Sequence, residues 1–328
     1  MQKINWGIIG CGDVTELKSG PAFNKVDDSC LLAVMRRDAA KARDYAERHA
    51  VPLWYNDAHE LIANPDVNAI YIATPPDTHE QYALAAINAG KPVYVEKPMT
   101  LNAASAQRML QAAKEKNIKL VVAHYRNAQP MFIKIKELLK QHAIGKITAV
   151  QLNYFTKPLS ALEMAMPKQA WRINPAISGG GLFHDLAPHQ LGLMLYFFGA
   201  VKTALGTSYN RSGLYAADDT VNGNIIFEND VPFNGQWNFN AAPGEVADEC
   251  TITGEEGNIQ FSVFGRPQIL LTIGSKENLL SFEPLLHVQQ PMIEKVVQYF
   301  LNNAPNPNAS QEGVEVMKLI DAFTGGKY

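Results

Sequence analysis

The run Ile4-Asn5-Trp6-Gly7-Ile8-Ile9-Gly10-Cys11-Gly12-Asp13-Val14-Thr15 decides how the first half of this chain folds. An apolar stretch rich in β-branched residues stops at Gly-Cys-Gly and gives way to residues that open a helix or helical turn. Glycines at such a junction let the backbone approach a pyrophosphate, whose charge is met by amide N–H groups at the helix start. Gly10 and Gly12 are the candidates for that approach, with Asp13 and Val14 at the helix start; Thr15 stands where the Gly-x-Gly-x-x-Gly pattern has its third glycine. A lone Gly-x-Gly is equally a tight turn, and the alternation downstream favours the dinucleotide reading.

Leu31-Leu32-Ala33-Val34-Met35 reads as a second strand, followed by a helix over 38–49. Ala69-Ile70-Tyr71-Ile72-Ala73 reads as a third strand, 78–89 as a helix closed by Gly90, Val93-Tyr94-Val95 as a fourth strand, 101–116 as a helix and Leu120-Val121-Val122 as a fifth strand. Short apolar strands separated by amphipathic helices specify a parallel sheet covered on both faces, a doubly wound Rossmann-type α/β layer. Past residue 145 the texture changes. Segments 147–155, 220–227, 235–240, 250–253 and 258–264 alternate or run β-rich, with Glu255-Glu256-Gly257-Asn258 as a turn. That pattern belongs to an α+β domain with one large, mostly antiparallel open sheet. We therefore expect a dinucleotide-binding domain over 1–123 and a substrate-binding and oligomerisation domain over 124–328, with a last helix near Ser310 free to pack back on the first.

A chain of 328 residues that is 47% hydrophobic can supply two such cores. A formal net charge of −3 with mixed signs gives no basic field for nucleic acid or an anionic membrane, which leaves a small-molecule substrate as the expected partner. The apolar run 191–198 is far too short to span a bilayer, and the N-terminal run reads as a strand, not a signal peptide. Cys11, Cys30 and Cys250 are too few and too scattered for a disulfide framework or a zinc site, and a reducing, cytoplasmic location fits them.

Cofactor choice is set at the end of the second strand, where a carboxylate accepts hydrogen bonds from the NAD ribose and an arginine accommodates the 2′-phosphate of NADP. This chain has Met35-Arg36-Arg37-Asp38 there. A guanidinium at Arg36 binds phosphate bidentately and stacks on adenine, so NADP(H) is favoured and NAD(H) remains possible. The competing reading leaves Arg36 and Arg37 as solvated charges and Asp38 as a helix cap.

Further along, Ala73-Thr74-Pro75-Pro76-Asp77-Thr78-His79 and then Ala89-Gly90-Lys91-Pro92-Val93-Tyr94-Val95-Glu96-Lys97-Pro98 resemble the Gfo/Idh/MocA oxidoreductase family, whose Glu-Lys-Pro signature is present as Glu96-Lys97-Pro98. Trp171-Arg172, Ser178-Gly179-Gly180-Gly181, Asp185 and His189 fall where the family's second-domain motifs fall, so the likeness spans nearly the whole chain. The resemblance implies that Thr74, Pro75, His79, Glu96 and Pro98 shape the cofactor site. It also implies that Lys97 sits beside the nicotinamide and orients or protonates the substrate oxygen, that His189 gives or takes the proton, and that Asp185 positions the hydroxyl or the histidine. Tyr125, Arg126, Trp171 and Arg172 are tilted toward the substrate by the same likeness, which further implies a homodimer or homotetramer through the C-terminal sheet.

Physical chemistry agrees in two places. Proline at 98 disfavours helix at Lys97 and fixes the local turn that presents the ammonium. A spacing of four puts Asp185 and His189 on one helix face, and Pro188 suits only a first turn, so the helix should begin close to these residues. Set against these, Lys97 could be an ordinary loop lysine, Asp185 a cap and His189 a core histidine. No metal site is expected, since His184 and His189 are five apart and do not share a helix face. The expected enzyme moves a hydride between nicotinamide and a sugar-like, polyol or related carbonyl or hydroxyl carbon. The alternatives are a trans-dihydrodiol dehydrogenase, a biliverdin-reductase-like enzyme or a non-catalytic NAD(P)-sensing regulator.

Overall fold

The structure, a computed structural model, describes residues 2–308 and 310–327. Two compact units divide the chain, Met1–Arg126 with Leu285–Met317 and Asn127–Pro284 with Lys318–Tyr328.

In the first unit, strands β1 (Ile4–Ile9), β2 (Ser29–Met35), β3 (Leu53–Tyr55), β4 (Ala69–Ile72), β5 (Val93–Val95) and β6 (Leu120–Val122) form one sheet in the order β3-β2-β1-β4-β5-β6, every pair parallel. Helices α1 (Asp13–Leu17), α2 (Ala39–Arg48), α3 (Ala58–Ala63), α4 (His79–Asn88) and α5 (Ala103–Glu115) connect them. β4, β5 and β6 are buried along their whole length, which is why they read as apolar runs instead of alternating. Asp38 caps α2 by accepting from the Lys41 amide at 3.2 Å, and Asn102 caps α5 by accepting from the Ser105 amide at 3.0 Å; these caps trim both expected helices by one or two residues. β3 and α3 carry no clear period in the sequence: β3 is a three-residue edge strand that leaves Trp54 43% exposed. The chain order reverses between β1 and β4, and the crevice outside their carboxyl ends is where such sheets bind ligands.

One face of this sheet is an aromatic core. Trp6, Tyr71 and Tyr94 are fully buried against Phe23 and Phe300, with ring centroids 4.8 Å apart for Trp6 and Phe23 and 5.2 Å for Tyr71 and Tyr94. The Trp6 indole N–H donates to Ser29 Oγ at 3.1 Å.

In the second unit, β7 (Ile147–Phe155), β8 (Val201–Tyr209), β9 (Thr220–Phe227), β10 (Pro232–Asn238), β11 (Ala247–Gly254), β12 (Gly257–Phe261), β13 (Gln268–Ile273) and β14 (Lys276–Ser281) form an eight-stranded sheet in the order β14-β13-β12-β11-β7-β10-β9-β8. Within this sheet, β7 and β10 are the one parallel pair among the described residues; the other pairs are antiparallel. Helix α6 (Pro130–Lys140), the short helices α7 (Ala161–Ala165), α8 (Pro167–Ala170) and α9 (Pro175–Ser178), and the long α10 (Leu182–Phe198) complete it. Phe132 packs on Phe261 and Phe183 on Trp237, so α6 and α10 cover one face. The other face is open. Asn224, Asn234, Gln151, Thr251 and Gln260 lie in one row across five strands, with Leu205 at one end and Leu270 and Leu279 at the other. Gln151 donates to Asn234 and Asn234 to Asn224, at 3.0 and 2.8 Å.

One sequence expectation is corrected here. α10 begins at Leu182, so Pro188 lies inside the helix, not in its first turn. Three successive glycines with positive φ (+86°, +148° and +80° at 179, 180 and 181) form the turn into it, and Ser178 Oγ accepts from the Gly181 amide at 2.8 Å. The helix is buried nearly all round, and that burial offsets the hydrogen bond that proline cannot donate. The spacing argument survives: Asp185 and His189 are both helical and share a face.

Two further helices close the chain, α11 (Gln290–Phe300) in the first unit and α12 (Ser310–Thr324), which runs from the first unit into the second. α10 and α11 end on the same device. Lys136 donates to the carbonyls of Tyr196 and Phe197, and Lys119 to those of Tyr299 and Phe300; each ammonium also lies over the tyrosine ring, at 5.3 and 4.8 Å. A cation there meets the negative end of the helix dipole and the last unpaired carbonyls together.

Candidate active site

The loop after β1 passes tightly against the loop after β4. Gly10 has φ +95°, and a Cβ there would stand 2.7 Å from the Thr74 amide nitrogen, so only glycine fits. Gly12 is different. Its backbone is extended (φ −149°), open to any residue, and a Cβ would meet nothing nearer than the Gly10 carbonyl at 3.9 Å. Neither strain nor crowding by the protein calls for glycine at 12; an open approach to the start of α1 does, and a dinucleotide pyrophosphate fits that cradle. The amides of Asp13 and Val14, the first positions of α1, have no acceptor inside the helix. Thr15 replaces the third glycine by closing the turn: its hydroxyl accepts from the Gly12 amide at 2.9 Å and donates to the Gly12 carbonyl at 2.8 Å. Tyr45 Oη locks it from α2 by donating to the Thr15 carbonyl at 2.8 Å.

Arg36, at the end of β2, turns its guanidinium onto this loop, Nη1 donating to the Cys11 carbonyl at 3.2 Å. Burial pushes the Cys11 thiol up to about 11 despite that guanidinium, so it is a packed thiol, not a nucleophile. Arg37 is exposed, and its charge acts on Asp77, whose pKa burial raises while His79 and Arg37 hold it down.

The Glu96-Lys97-Pro98 segment is held from behind. Glu96, 5% exposed, accepts through Oε1 from Tyr71 Oη at 2.6 Å and from Gln289 Nε2 at 2.5 Å, and through Oε2 from the Lys97 amide at 3.2 Å. Tyr94 Oη donates to Gln289 Oε1 at 3.2 Å. Burial and then the Glu96 charge push both tyrosines well above their ordinary range, so they serve as fixed donors. His79 is fully buried between the carbonyls of Pro98 (3.0 Å) and Thr74 (2.8 Å), and so ties the loop after β4 to the loop after β5. Burial lowers its pKa and the two carbonyls oppose that. With no exposed surface it shapes the site from below. The Lys97-Pro98 peptide is cis, and Lys97 itself is half-buried. Tyr125 is buried, with the Arg126 guanidinium 5.7 Å from its ring centroid.

In the second unit, Arg172 Nε donates to Asp185 Oδ2 at 2.9 Å, and the guanidinium lies over the Trp171 ring at 4.5 Å from its centroid. Arg172 also donates to the Lys168 carbonyl. Arg172 thus sets the orientation of the Asp185 carboxyl group. His189, one turn on along α10 and 5% exposed, packs edge-on against Phe264 with centroids 5.7 Å apart. Beside it Gln190 accepts from the Trp237 indole N–H at 2.6 Å, anchoring the helix to β10. His184 is buried and pushed down to about 3 by that burial.

The first unit therefore gathers Gly10, Gly12, Asp13, Val14, Arg36, Thr74, Pro75, Glu96, Lys97 and Pro98 at one sheet edge, and the second gathers Trp171, Arg172, Asp185 and His189 around α10. Sequence reasoning missed Tyr71, Gln289 and His124. Gln289 stands 193 residues from its partner Glu96, beyond any local pattern.

A parallel sheet with a glycine-rich turn at its switch point is the frame of a dinucleotide-binding domain, and the open-sheet unit carries the paired Arg172–Asp185. The profile described as "Oxidoreductase family, NAD-binding Rossmann fold" matches residues 4–124 and the "GFO/IDH/MocA C-terminal domain" matches 132–260; the chain belongs to the GFO/IDH/MocA oxidoreductase family. Oxidoreductase P35 of Formosa agariphila is 47% identical over 326 residues, 98% of this chain and 99% of its own. The trans-1,2-dihydrobenzene-1,2-diol dehydrogenase of Xenopus laevis is 25% identical over 295 residues, 88% of this chain and 83% of its own. A solved levoglucosan dehydrogenase in complex with NADH and levoglucosan shares the fold, with a TM-score of 0.83 over 98% of this chain and 96% of its own at 22% identity.

Proposed function

We propose that this oxidoreductase prefers NADP(H) and moves a hydride between nicotinamide and a hydroxyl- or carbonyl-bearing carbon of a sugar-like or polyol substrate, with Lys97 and His189 handling the oxygen and its proton. The observation that carries it is the position of Lys97 at the carboxyl edge of β5, on a loop fixed by buried Glu96 and His79 and on the same edge as the Gly10–Gly12 turn. A dinucleotide held at the Gly10–Gly12 turn would supply or take up the hydride. On reduction the carbonyl carbon gains that hydride and the oxygen gains a proton; on oxidation both leave. The Lys97 ammonium stabilises negative charge developing on that oxygen. The His189 imidazole gives or takes the proton, a contribution typically worth roughly 10²–10⁴-fold. Asp185, steadied by Arg172, orients the hydroxyl or the imidazole.

Relatives named as dehydrogenases of levoglucosan and of a dihydrodiol support the substrate class, and the second also favours a dihydrodiol dehydrogenase as an alternative. A spectrophotometric screen of NADPH, NADP⁺, NADH and NAD⁺ against aldoses, ketoses, polyols, inositols and dihydrodiols separates the two. Turnover with a sugar or polyol is expected; tight cofactor binding with no turnover across the panel contradicts the proposal.

For cofactor choice, Arg36→Ala should weaken NADPH roughly tenfold to a hundredfold, the worth of one charge-assisted hydrogen bond to phosphate. NADH should bind much as before. Equal losses for both cofactors, measured by fluorescence titration, would remove Arg36 from phosphate recognition. The uncharged outer row of the second sheet, with Leu205 67% and Leu279 59% exposed, supports a homo-oligomer through that face. Sedimentation as a monomer at micromolar concentration would contradict it.

A further inference from the structure

His124 follows β6 as Lys97 follows β5. Val95 pairs with Val122, and the Ala123 amide donates to the Val95 carbonyl at 2.8 Å, so residues 97 and 124 stand two positions past the last register pair on neighbouring strands. The backbone is pinned there: buried Asn308 donates from Nδ2 to the carbonyls of Val122 (3.1 Å) and His124 (3.3 Å). The imidazole is 3% exposed, and neither of its ring nitrogens has a hydrogen-bond partner among the described residues. A buried polar atom left unpaired carries a desolvation penalty that a leucine of similar size would not incur. Of the ionisable groups on the adjoining loops, Glu96 faces inward onto Tyr71 and Gln289, Tyr125 follows in the chain, and Lys97 is the one whose charge acts on the ring. Burial and then that charge push His124 down to about 4, so the ring is neutral near pH 7 and carries one acceptor nitrogen.

We propose that His124 is a positioning residue for Lys97, its acceptor nitrogen taking a hydrogen bond from the lysine ammonium when that group swings back from the substrate oxygen. This rests on Lys97 being the group that meets the substrate. A lysine ammonium rides on a four-carbon stem and loses its proton readily once desolvated. A neutral imidazole suits the return position, because it stabilises the charge without the grip of a carboxylate. The coupling is reciprocal: the ammonium disfavours a proton on His124, and a protonated His124 would disfavour the ammonium. Burial keeps the positive charge off His124.

The test compares the pH profile of kcat/KM for the full-length wild type, His124→Leu, His124→Gln and Lys97→Met, together with the NMR titration of the His124 ring. His124→Leu should move the alkaline limb to lower pH by about one unit, a tenfold change in proton affinity. His124→Gln, whose side-chain oxygen accepts a hydrogen bond, should restore it. In Lys97→Met the His124 titration should rise from about 4. If Lys97→Met keeps the wild-type rate and profile, the reading of Lys97 fails. If Lys97→Met is inactive but the His124→Leu limb does not move, the role of His124 fails alone. Should the leucine variant not fold, the ring titration decides, and an unchanged value in Lys97→Met overturns the proposal.

Discussion

Lys97→Ala should lower kcat/KM by roughly 10²–10⁴-fold, the range for removing a group that transfers or stabilises the reacting proton, while dinucleotide affinity stays nearly unchanged. The separation follows from where the parts sit. The cradle proposed for the pyrophosphate is Gly10, Gly12 and the start of α1, and its shape depends on Thr15, Tyr45 and Thr74. The loop itself is held through Glu96, which accepts from the Lys97 amide, a contact alanine keeps. Stopped-flow reduction with saturating cofactor, beside calorimetric titration of the cofactor alone, reads the two quantities independently. A variant that turns over at the wild-type rate would remove Lys97 from the chemistry, and one that no longer binds the dinucleotide would make it a cofactor residue instead.

Glu96→Ala should destabilise the first unit by about 3 kcal/mol or more, since it strands two buried donors, Tyr71 Oη and Gln289 Nε2, each worth about 1–3 kcal/mol when left unpaired. Tyr71 and Gln289 are both fully buried, so bulk solvent does not reach these donors in the folded protein. The Gln289 amide also accepts from Tyr94 and its backbone N–H donates to the Lys18 carbonyl at 3.2 Å, so the disturbance spreads to the segment between β14 and α11. Glu96→Gln is the informative control. Its oxygen keeps accepting from Tyr71 and Gln289 while its N–H turns toward the Lys97 amide in place of Oε2, and it should fall between wild type and alanine in denaturant unfolding. A Glu96→Ala protein with wild-type stability would show that the carboxylate is not what holds the loop.

How much of this was legible depends on the range of the interaction concerned. The turn at Gly10–Gly12, the arginine at the end of β2 and the Glu96-Lys97-Pro98 segment are local strings, and each lies where its string implied, at a strand's carboxyl end. Asp38 as a cap was likewise open to a local reading, whereas the Asn102 cap was not read from the sequence. Pro188 misled for a physical reason: its preference for a first turn is real, but the glycine turn at 179–181 starts the helix earlier and burial tolerates the proline. β13 and β14 gave little signal because their outer positions are partly exposed and β14 has no buried residue at all. Gln289, Asn308 and His124 could not have been found at all by spacing. Their roles come from contacts across 184 to 193 residues, which a sequence does not display.

The most direct measurement is a double-mutant cycle on kcat/KM with Lys97→Ala, His189→Ala and the pair, using whichever substrate the screen yields. If both side chains serve one proton on one oxygen, the pair should be hardly slower than the slower single variant, because the second loss removes a group whose partner in the step is already gone. Fully additive losses, or a His189→Ala enzyme that runs at the wild-type rate, would show that the two residues do not share that step.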